Sequence, residues 1–334
     1  MTIQSVSEIF VGRASEGLKE LLPDSRVIVI TDATIEHLYH DLVGRFESII
    51  IGHGEANKSL DTALFIYNRL MAMGADRSTF LLGVGGGIIT DITGLVASTY
   101  MRGLRFGFIS TTLLGQVDAS IGGKNGVNIA GYKNMVGTFT HPRFVISDVD
   151  MLRTLPRREQ RSGMAEVVKA AIIGDATLFE LLEAHATEDI CTRSDIMQEV
   201  VLRSMRLKLS IVERDERESG LRRVLNLGHT LGHAIEKCTH DVNHGEAVAM
   251  GLALMARASV RRGIMSAKDA ERIELLLSRL GFALTPPVAL GDIIGEVCHD
   301  KKKEGDSLHV VFAERIGSCR IERMAIDDFE NIFI

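Results

Sequence analysis

The chain lacks several features that mark particular classes of protein. Its 334 residues include no tryptophan, only five prolines and four cysteines, and contain no run of about 18 apolar residues that would span a membrane. The cysteines are scattered without a C-x-x-C pair, which argues against a disulfide framework or a cysteine zinc site and is typical of reduced thiols. No basic-then-apolar segment opens the chain. We therefore expect a cytoplasmic protein with no membrane partner.

Positive charge is also in deficit. The 38 lysines and arginines are outnumbered by 44 acidic residues, giving a formal net charge of −6. This balance argues against nucleic acid as the main partner. At 46% hydrophobic and 25% charged residues, the chain is typical of a globular protein and is long enough for two domains.

The first half of the chain alternates between two patterns. Short β-branched or aromatic runs, which predict buried parallel strands, occupy residues 26–32, 48–52 and 104–109, and another begins at Phe80. Helical periodicity lies between them at residues 34–46, at 60–73 and after Gly87. This alternation predicts an α/β domain with a Rossmann-like nucleotide-binding fold over residues 1–155.

The pattern changes near Leu155-Pro156. Amphipathic segments that predict helices follow at residues 157–173, 178–185, 196–212, 228–237, 246–262 and 267–280. Only residues 308–313 return to strand character. We expect a mainly α-helical domain over residues 156–334, with the active site in the cleft between the two domains.

A glycine-rich turn follows the strand that begins at Phe80. Gly85, Gly86 and Gly87 precede a helix, and Asp91 lies one turn into it. Glycines at such a turn let backbone N–H groups approach a phosphate, and the helix N-terminus adds positive potential. The spacing is not that of the common G-x-G-x-x-G fingerprint. A nicotinamide cofactor and a tight turn without a ligand therefore both remain open.

Three histidines lie close together in the second half. His229 and His233 are one helical turn apart, His244 follows them, and Glu166 is an isolated carboxylate in an apolar run. Two imidazoles and a carboxylate are a common ligand set for a catalytic divalent metal. The alternative is that these histidines are satisfied by neighbouring carbonyl groups, and no short spacing ties Glu166 to them.

Basic residues suggest an anion site. Lys124 follows two glycines, Lys133 and Asn134 follow another, and Lys208 and Arg222 precede the histidine segment. Lysine, arginine and asparagine donors suit a phosphate or a carboxylate. Solvated loops and helix surfaces also favour these residues. Arg222 would share a face with Asn226 only if the histidine helix extends that far back.

Taken together, the motifs resemble those of the 3-dehydroquinate synthase family, in family order over most of the chain. The matching segments are Gly85-Gly86-Gly87-x-x-x-Asp91, Tyr100-Met101-Arg102-Gly103, Thr111-Thr112-Leu113-Leu114-x-Gln116-Val117-Asp118, Gly122-Gly123-Lys124, Lys133-Asn134, Ala165-Glu166-Val167-x-Lys169, Leu225-Asn226-x-Gly228-His229-x-x-Gly232-His233-Ala234, His244-Gly245-Glu246 and Asp300-Lys301-Lys302. The resemblance implies an NAD- and metal-dependent lyase, with zinc or cobalt as the metal.

The resemblance also implies a reaction. 3-Deoxy-D-arabino-heptulosonate 7-phosphate (DAHP) becomes 3-dehydroquinate and phosphate by transient oxidation with NAD, phosphate elimination, re-reduction and intramolecular aldol closure. This step belongs to the shikimate pathway of aromatic amino acid biosynthesis. The family further implies a homodimer in which Arg102 reaches the neighbouring subunit's phosphate site.

Roles follow residue by residue from the resemblance. The implied metal ligands are Glu166, His229 and His244. The implied cofactor-binding residues are Glu55, Lys58, Gly85, Gly86, Gly87, Asp91, Thr111, Thr112, Lys124 and Lys133. The implied catalytic and substrate-binding residues are Asp118, Lys124, Lys169, Lys208, Arg222, Asn226 and His233. The implied contacts to substrate phosphate are Arg102, Lys124, Asn134, His233, Lys301 and Lys302.

Three alternatives remain at the level of sequence. Sugar phosphate cyclases that make valiolone or deoxyinosose skeletons share the metal, NAD and fold, but their substrates lack a carboxylate. The presence of Asn134, Arg222 and His233 favours the carboxylated substrate over these. Metal-dependent glycerol or alcohol dehydrogenases share the glycine turn without this set of lysines. A regulatory relic would have lost metal or substrate ligands, and none is visibly lost.

Overall fold

The structure is a computed structural model that describes residues 1–3, 5–186, 190–239, 241–302 and 307–333, except for the side chains of residues 300–302. The predicted phosphate contacts of Lys301 and Lys302 therefore lie outside the described side chains. The chain divides into two compact units. The first comprises Met1–Pro156 and Ser194–Met205, and the second comprises Arg157–Arg193 and Arg206–Ile334. The functional labels of the two predicted domains stay predictions.

The first unit is an α/β structure. Its strands are Thr2–Ile3 (β1), Glu8–Val11 (β2), Val27–Asp32 (β3), Glu47–Ile51 (β4), Phe80–Gly85 (β5), Arg105–Ser110 (β6), Lys124–Ile129 (β7), Tyr132–Phe139 (β8) and Phe144–Ser147 (β9). Its helices are Ala14–Leu21 (α1), Ala33–Leu38 (α2), His40–Val43 (α3), Leu60–Ala72 (α4) and Gly87–Thr99 (α5). The main sheet has the order β1-β2-β9-β6-β5-β3-β4, and its pairs are parallel apart from β1 with β2.

Burial on both faces explains the parallel sheet. Every residue of β3 and β5 is buried, as expected when helices cover the two sides of a strand. The helix α5 follows β5 after the glycine turn and packs against β5, β6 and the β7–β8 hairpin. The α/β prediction for this region is confirmed.

Three local expectations differ from the structure in this unit. The helix predicted over residues 34–46 is two short helices, because Tyr39 leaves the helical region at φ −124° between α2 and α3. The sheet also contains β2 and β9, which the strand patterns did not indicate. The lysine- and glycine-containing segment around Lys124 and Lys133, for which a solvated loop was the alternative to an anion site, is the β7–β8 hairpin.

The second unit is mainly helical. Its elements are Arg157–Gly174 (α6), Ala176–His185 (α7), the last part of Ser194–Arg214 (α8), His229–Cys238 (α9), His244–Arg261 (α10), Ala267–Arg279 (α11), Leu290–Lys302 (α12), Ser307–Arg315 (β10), Ser318–Ala325 (β11) and Ile326–Asn331 (α13). The helix α10 lies at the centre, buried over most of its length and packed against α6, α9, α11 and β10. None of the described helices is both long and apolar enough to cross a membrane.

One expectation for this region is wrong, and one condition that the sequence left open is not met. A second strand, β11, pairs antiparallel with β10, so residues 308–313 are not alone in strand character. The histidine helix does not extend back to Arg222, because residues Leu221–Asn226 form a 3-10 turn and Gly228 has φ 78°. A left-handed residue ends one helical segment before α9 begins, so Arg222 and Asn226 do not share a face of that helix.

Candidate active site

Glycines let three helices of the second unit approach closely. A Cβ atom on Gly245, the second residue of α10, would overlap the backbone of Ser162 on α6. A Cβ on Gly251 would overlap the carbonyl of Gly228, just before α9. Protein interiors tolerate no such overlap. The absence of side chains at these positions therefore sets the start of α10 against α6 and brings the second turn of α10 against the residue that precedes α9.

A capping box fixes where α10 begins. The Asn243 side chain accepts from the Glu246 backbone N–H at 2.9 Å, and the Glu246 carboxylate accepts from the Asn243 N–H at 2.8 Å. Arg158 holds the same carboxylate through two hydrogen bonds of 2.7 and 3.0 Å. These contacts satisfy N–H groups that the first turn would leave unpaired. They place His244 at the first position of α10.

Glu166, His229 and His244 come together from three different helices. One ligand atom from each lies within 4.8 Å of the other two. His229 Nε2 is 3.3 Å and His244 Nε2 is 3.4 Å from Glu166 Oε1. Two imidazole nitrogens and one carboxylate oxygen in this arrangement could hold a divalent cation, since zinc and cobalt sites use these ligands.

The Glu166 carboxylate gives an independent test of that fit. The residue is 2% exposed, and within the described chain neither of its oxygens has a hydrogen bond of acceptable geometry. Its neighbours are instead at ion-pair separations, with Lys169 Nζ against Oε2 and the two histidines beside Oε1. A buried carboxylate without hydrogen bonds is destabilising unless a cation compensates it. Lys169 compensates Oε2, so Oε1 and the two histidine nitrogens beside it are the atoms that fit a metal ion.

The charges of this cluster shift its proton equilibria. Burial raises the pKa of Glu166, but the Lys169 charge and His229 more than offset it, so the pKa lies well below 4.5. Burial lowers the pKa of His244, whereas the adjacent carboxylates of Glu166 and Glu236 outweigh it and raise the pKa to about 9. The carboxylate is therefore ionised at neutral pH, as a metal ligand must be.

Glu236 is a residue that the sequence reasoning missed. Its Oε2 lies 3.4 Å from His244 Nδ1, while the other ring nitrogen of His244 faces Glu166. A carboxylate on the second nitrogen of a metal-binding histidine fixes the tautomer and the ring orientation. The available signal was helical spacing, because Glu236 lies about one turn after His233 and two turns after His229 on α9.

His233 belongs to a second, overlapping group. His233, Glu236 and His244 also bring ligand atoms within 4.8 Å of one another. The His233 ring centre is 5.3 Å from that of His229 and 6.2 Å from that of His244, and the residue is exposed. Glu166 is buried whereas His233 is exposed, which favours Glu166, His229 and His244 as the metal group and leaves His233 beside it.

Further basic groups are buried in the second unit. Lys169, Lys208 and Arg222 are 3%, 8% and 3% exposed. Arg222 donates from Nη1 to the Glu216 carbonyl, and its backbone N–H donates to Asp215 at 2.9 Å. Asn226 is exposed and donates to Glu218 at 2.6 Å. Basic side chains are rarely buried without an anionic partner or a function.

The glycine turn of the first unit leads directly into α5. Its N-cap residue, Gly86, offers no side chain to the N–H groups of the first helical turn, and a Cβ there would lie 2.8 Å from Thr112 Cγ2. The buried Thr111 Oγ1 has no hydrogen-bond partner in the described chain. Uncapped helical N–H groups beside an unpaired hydroxyl fit a phosphate-containing ligand such as a dinucleotide.

Several predicted cofactor residues form one hydrogen-bonded network beside this turn. Lys58 is 8% exposed, forms an ion pair with Asp91 on α5 and donates to Asn134 Oδ1 at 2.7 Å. Asn128 donates to Glu55 at 2.8 Å and accepts from the Asn134 backbone N–H at 3.0 Å. The structure thus brings together Glu55, Lys58, Asp91 and Asn134.

The remaining predicted residues of the first unit differ in exposure. Lys124 and Lys133 lie on the exposed hairpin, and Asp118 is half-buried in the turn after β6. Arg102 is exposed at φ 70°, after Met101 at φ 50° and before Gly103 at φ 122°. Consecutive non-glycine residues with positive φ are uncommon and strained. No hydrogen bond or ion pair of the Arg102 side chain is found among the described residues.

Comparisons with known proteins agree on one family. A model of the 3-dehydroquinate synthase N-terminal region matches residues 48–162, and a model of the C-terminal region matches residues 163–303. A 3-dehydroquinate synthase from Neisseria meningitidis is 42% identical over 91% of this chain and 88% of its own length. One from Dehalococcoides mccartyi is 41% identical over the same shares.

A solved structure is similar over almost the whole chain. It is a 2-epi-5-epi-valiolone synthase from Streptomyces hygroscopicus with NAD+ and Zn2+ bound, with a TM-score of 0.88 and 26% identity. The similarity covers 99% of this chain and 96% of that one. Two family models spanning most of the sequence, and relatives at about 40% identity, identify this chain as a member of the 3-dehydroquinate synthase family.

Proposed function

We propose that this chain converts DAHP to 3-dehydroquinate and phosphate, as a cytoplasmic enzyme of the shikimate pathway. The observation that carries the proposal is the cluster of Glu166, His229 and His244 in a chain of this family. The relatives named 3-dehydroquinate synthase support the substrate. The structural neighbour that holds NAD+ and Zn2+ supports the cofactor and the metal.

Glu166, His229 and His244 would hold zinc or cobalt, and the first unit would hold NAD. When bound, the dinucleotide supplies a transient hydride acceptor and the metal acidifies the hydroxyl that is oxidised. The proposed contacts to NAD are those of Glu55, Lys58, Gly85, Gly86, Gly87, Asp91, Thr111, Thr112, Lys124 and Lys133. The uncapped start of α5 supports a pyrophosphate at the glycine turn.

Basic residues would bind the two anionic ends of the substrate. We assign Lys169, Lys208 and Arg222 to substrate oxygens because each is buried in the second unit. Their charges would hold a flexible acid in a reactive conformation, which lowers the barrier through electrostatics and reduced entropy. The other proposed substrate contacts are those of Asp118, Lys124, Asn226 and His233. The proposed phosphate contacts are those of Arg102, Lys124, Asn134, His233, Lys301 and Lys302.

The proposal includes a homodimer. Of the fifteen exposed large apolar residues in the described chain, nine lie on α4, on the turn before β6 or on the hairpin; these nine are Leu60, Leu64, Phe65, Met71, Met101, Ile129, Tyr132, Met135 and Phe139. Large exposed apolar surfaces are typical of protein interfaces. Arg102 lies in the same turn as Met101. A second copy that covers this surface would receive Arg102 at its phosphate site.

The second candidate is a valiolone-type cyclase, which the similar valiolone synthase structure favours. The two reactions differ in whether the substrate carries a carboxylate. The purified protein with NAD and zinc should be given DAHP and sedoheptulose 7-phosphate in parallel, with phosphate release followed. We expect strong preference for DAHP. Comparable turnover of both sugars would reject the dehydroquinate assignment in favour of the valiolone-type alternative.

A further inference from the structure

Asn128 joins three segments of the first unit. Its backbone N–H donates to the Lys58 carbonyl at 2.8 Å, which fixes β7 to the segment that follows Glu55. Its side-chain amide donates to Glu55 Oε1 at 2.8 Å, and its side-chain carbonyl accepts from the Asn134 N–H at 3.0 Å. The backbone N–H, the side-chain amide and the side-chain carbonyl of Asn128 therefore all form hydrogen bonds of normal length.

Each partner of Asn128 is a proposed ligand-binding residue. Glu55 and Lys58 are proposed to contact NAD, and Asn134 the substrate phosphate. Asn134 has φ 56°, a left-handed conformation that asparagine adopts more readily than most other non-glycine residues. The side chain of Asn134 in turn accepts from Lys58 Nζ at 2.7 Å. Glu55 and Lys58 lie in one short segment, so the hydrogen-bonded network that begins at Glu55 passes through Asn128 and Asn134 and ends at Lys58.

We infer that Asn128 is a positioning residue that couples the NAD-binding carboxylate of Glu55 to the phosphate-side Asn134. The inference rests on the proposed function. The Asn128 amide orients Glu55 by donating to one carboxylate oxygen, which leaves the second oxygen for NAD. The Asn128 carbonyl holds the Asn134 backbone in its left-handed conformation. A ligand that orders Glu55 therefore also orders Asn134, so a second ligand that binds at Asn134 loses less conformational entropy.

Two substitutions distinguish the side-chain donor of Asn128 from its side-chain acceptor. Asn128→Ala removes both side-chain hydrogen bonds. Asn128→Asp retains an oxygen that can accept from Asn134 but replaces the donor to Glu55 with a like charge. Asn128 is half-buried on the hairpin, so neither change opens a cavity in the core of the unit.

The test measures NAD affinity by titration calorimetry on the zinc-loaded protein, with no substrate present. Asn128→Ala should raise the Kd for NAD about 10-fold, the size expected for one hydrogen bond to a charged group. Asn128→Asp should weaken NAD at least as much. The KM for DAHP should rise more in Asn128→Ala than in Asn128→Asp, because only alanine releases Asn134. A residue with only a structural role would not change the Kd for NAD and the KM for DAHP in different proportions in the two variants.

A double-mutant cycle tests whether Asn128 acts through Glu55. In a Glu55→Ala background, which removes the acceptor, Asn128→Ala should change the Kd for NAD by less than about 3-fold. The matched control is Thr138→Val, which removes a hydrogen bond of 3.1 Å between the same hairpin and Ser98 on α5. This control should bind NAD like the wild type.

The outcomes distinguish the inference from the function on which it rests. A wild type that binds NAD while Asn128→Ala binds it equally well overturns the inference and leaves the proposed function intact. An undiminished effect of Asn128→Ala in the Glu55→Ala background also overturns it. A wild type that binds no NAD overturns the proposed function, and the inference with it.

Discussion

Glu166 and Lys169 form an ion pair one helical turn apart on α6, with side chains only 1% and 4% exposed. Burial of two charges is favourable only while each compensates the other. Their proximity to His229 and His244 places this pair within the proposed metal cluster. The stability of the second unit and the proposed chemistry therefore depend on the same few atoms.

Removal of the lysine alone should destabilise the protein. We expect Lys169→Met to lower the free energy of unfolding by about 3–5 kcal/mol in the presence of a chelator, because it leaves Glu166 buried and charged. The double variant Glu166→Gln, Lys169→Met removes both charges and should recover most of this loss. Unfolding midpoints in urea measure both effects. A double variant no more stable than Lys169→Met would contradict the charge argument.

Loss of a ligand should remove the metal. His244→Ala deletes an imidazole that faces Glu166, and we expect it to abolish turnover and to lose the bound divalent ion stoichiometrically. Metal content after dialysis measures this directly. His37→Ala, on the exposed side of α2, is the control and should retain the metal. Retention of a full equivalent of zinc by His244→Ala would show that the ligand assignment is wrong.

Much of the second unit followed from helical periodicity, whereas the contact between its helices did not. Periodicity placed His229 and His233 on one helix face, but Glu166 reaches His229 only because Gly245 and Gly251 allow α10 to contact α6 and the start of α9. Such packing depends on residues far apart in the chain. The sequence pattern therefore needed the family resemblance to link Glu166 to the histidines.

The missed elements have local physical reasons. Strand β2 carries only one short apolar run and takes its place by pairing with the distant β9. Strands β8 and β11 are mostly exposed or half-buried. They therefore lack the apolar runs that indicate buried strands. Asn128 and Glu236 are polar residues without a motif of their own. Their significance appears only through the partners that the fold supplies.

Arg222 provides a test of the substrate's carboxylate. Loss of one charge-assisted contact in a buried site costs about 2–4 kcal/mol of transition-state binding. Arg222→Ala should therefore lower kcat/KM for DAHP by roughly 30- to 1000-fold, with metal and NAD binding retained. The matched control is the adjacent Arg223→Ala, whose side chain lies against His309 instead. Equal losses in the two variants would count against a specific role for Arg222.

Arg102 should act on the neighbouring subunit. If it does, a heterodimer of Arg102→Ala and Lys124→Ala subunits has one site that carries both changes and one that carries neither. Activity should reappear when the two inactive variants are mixed and verified as heterodimers. Absence of recovery from the two inactive variants would show that Arg102 acts within its own subunit.

The most direct measurement of the central claim follows three signals in one reaction. The wild-type protein is supplied with DAHP, NAD and zinc while phosphate, 3-dehydroquinate and NADH absorbance are recorded together. Phosphate and dehydroquinate should form in equal amounts with NADH near its baseline, because the hydride returns to the same substrate. Stoichiometric NADH accumulation, or phosphate release without dehydroquinate, would contradict the assignment of this chain as a 3-dehydroquinate synthase.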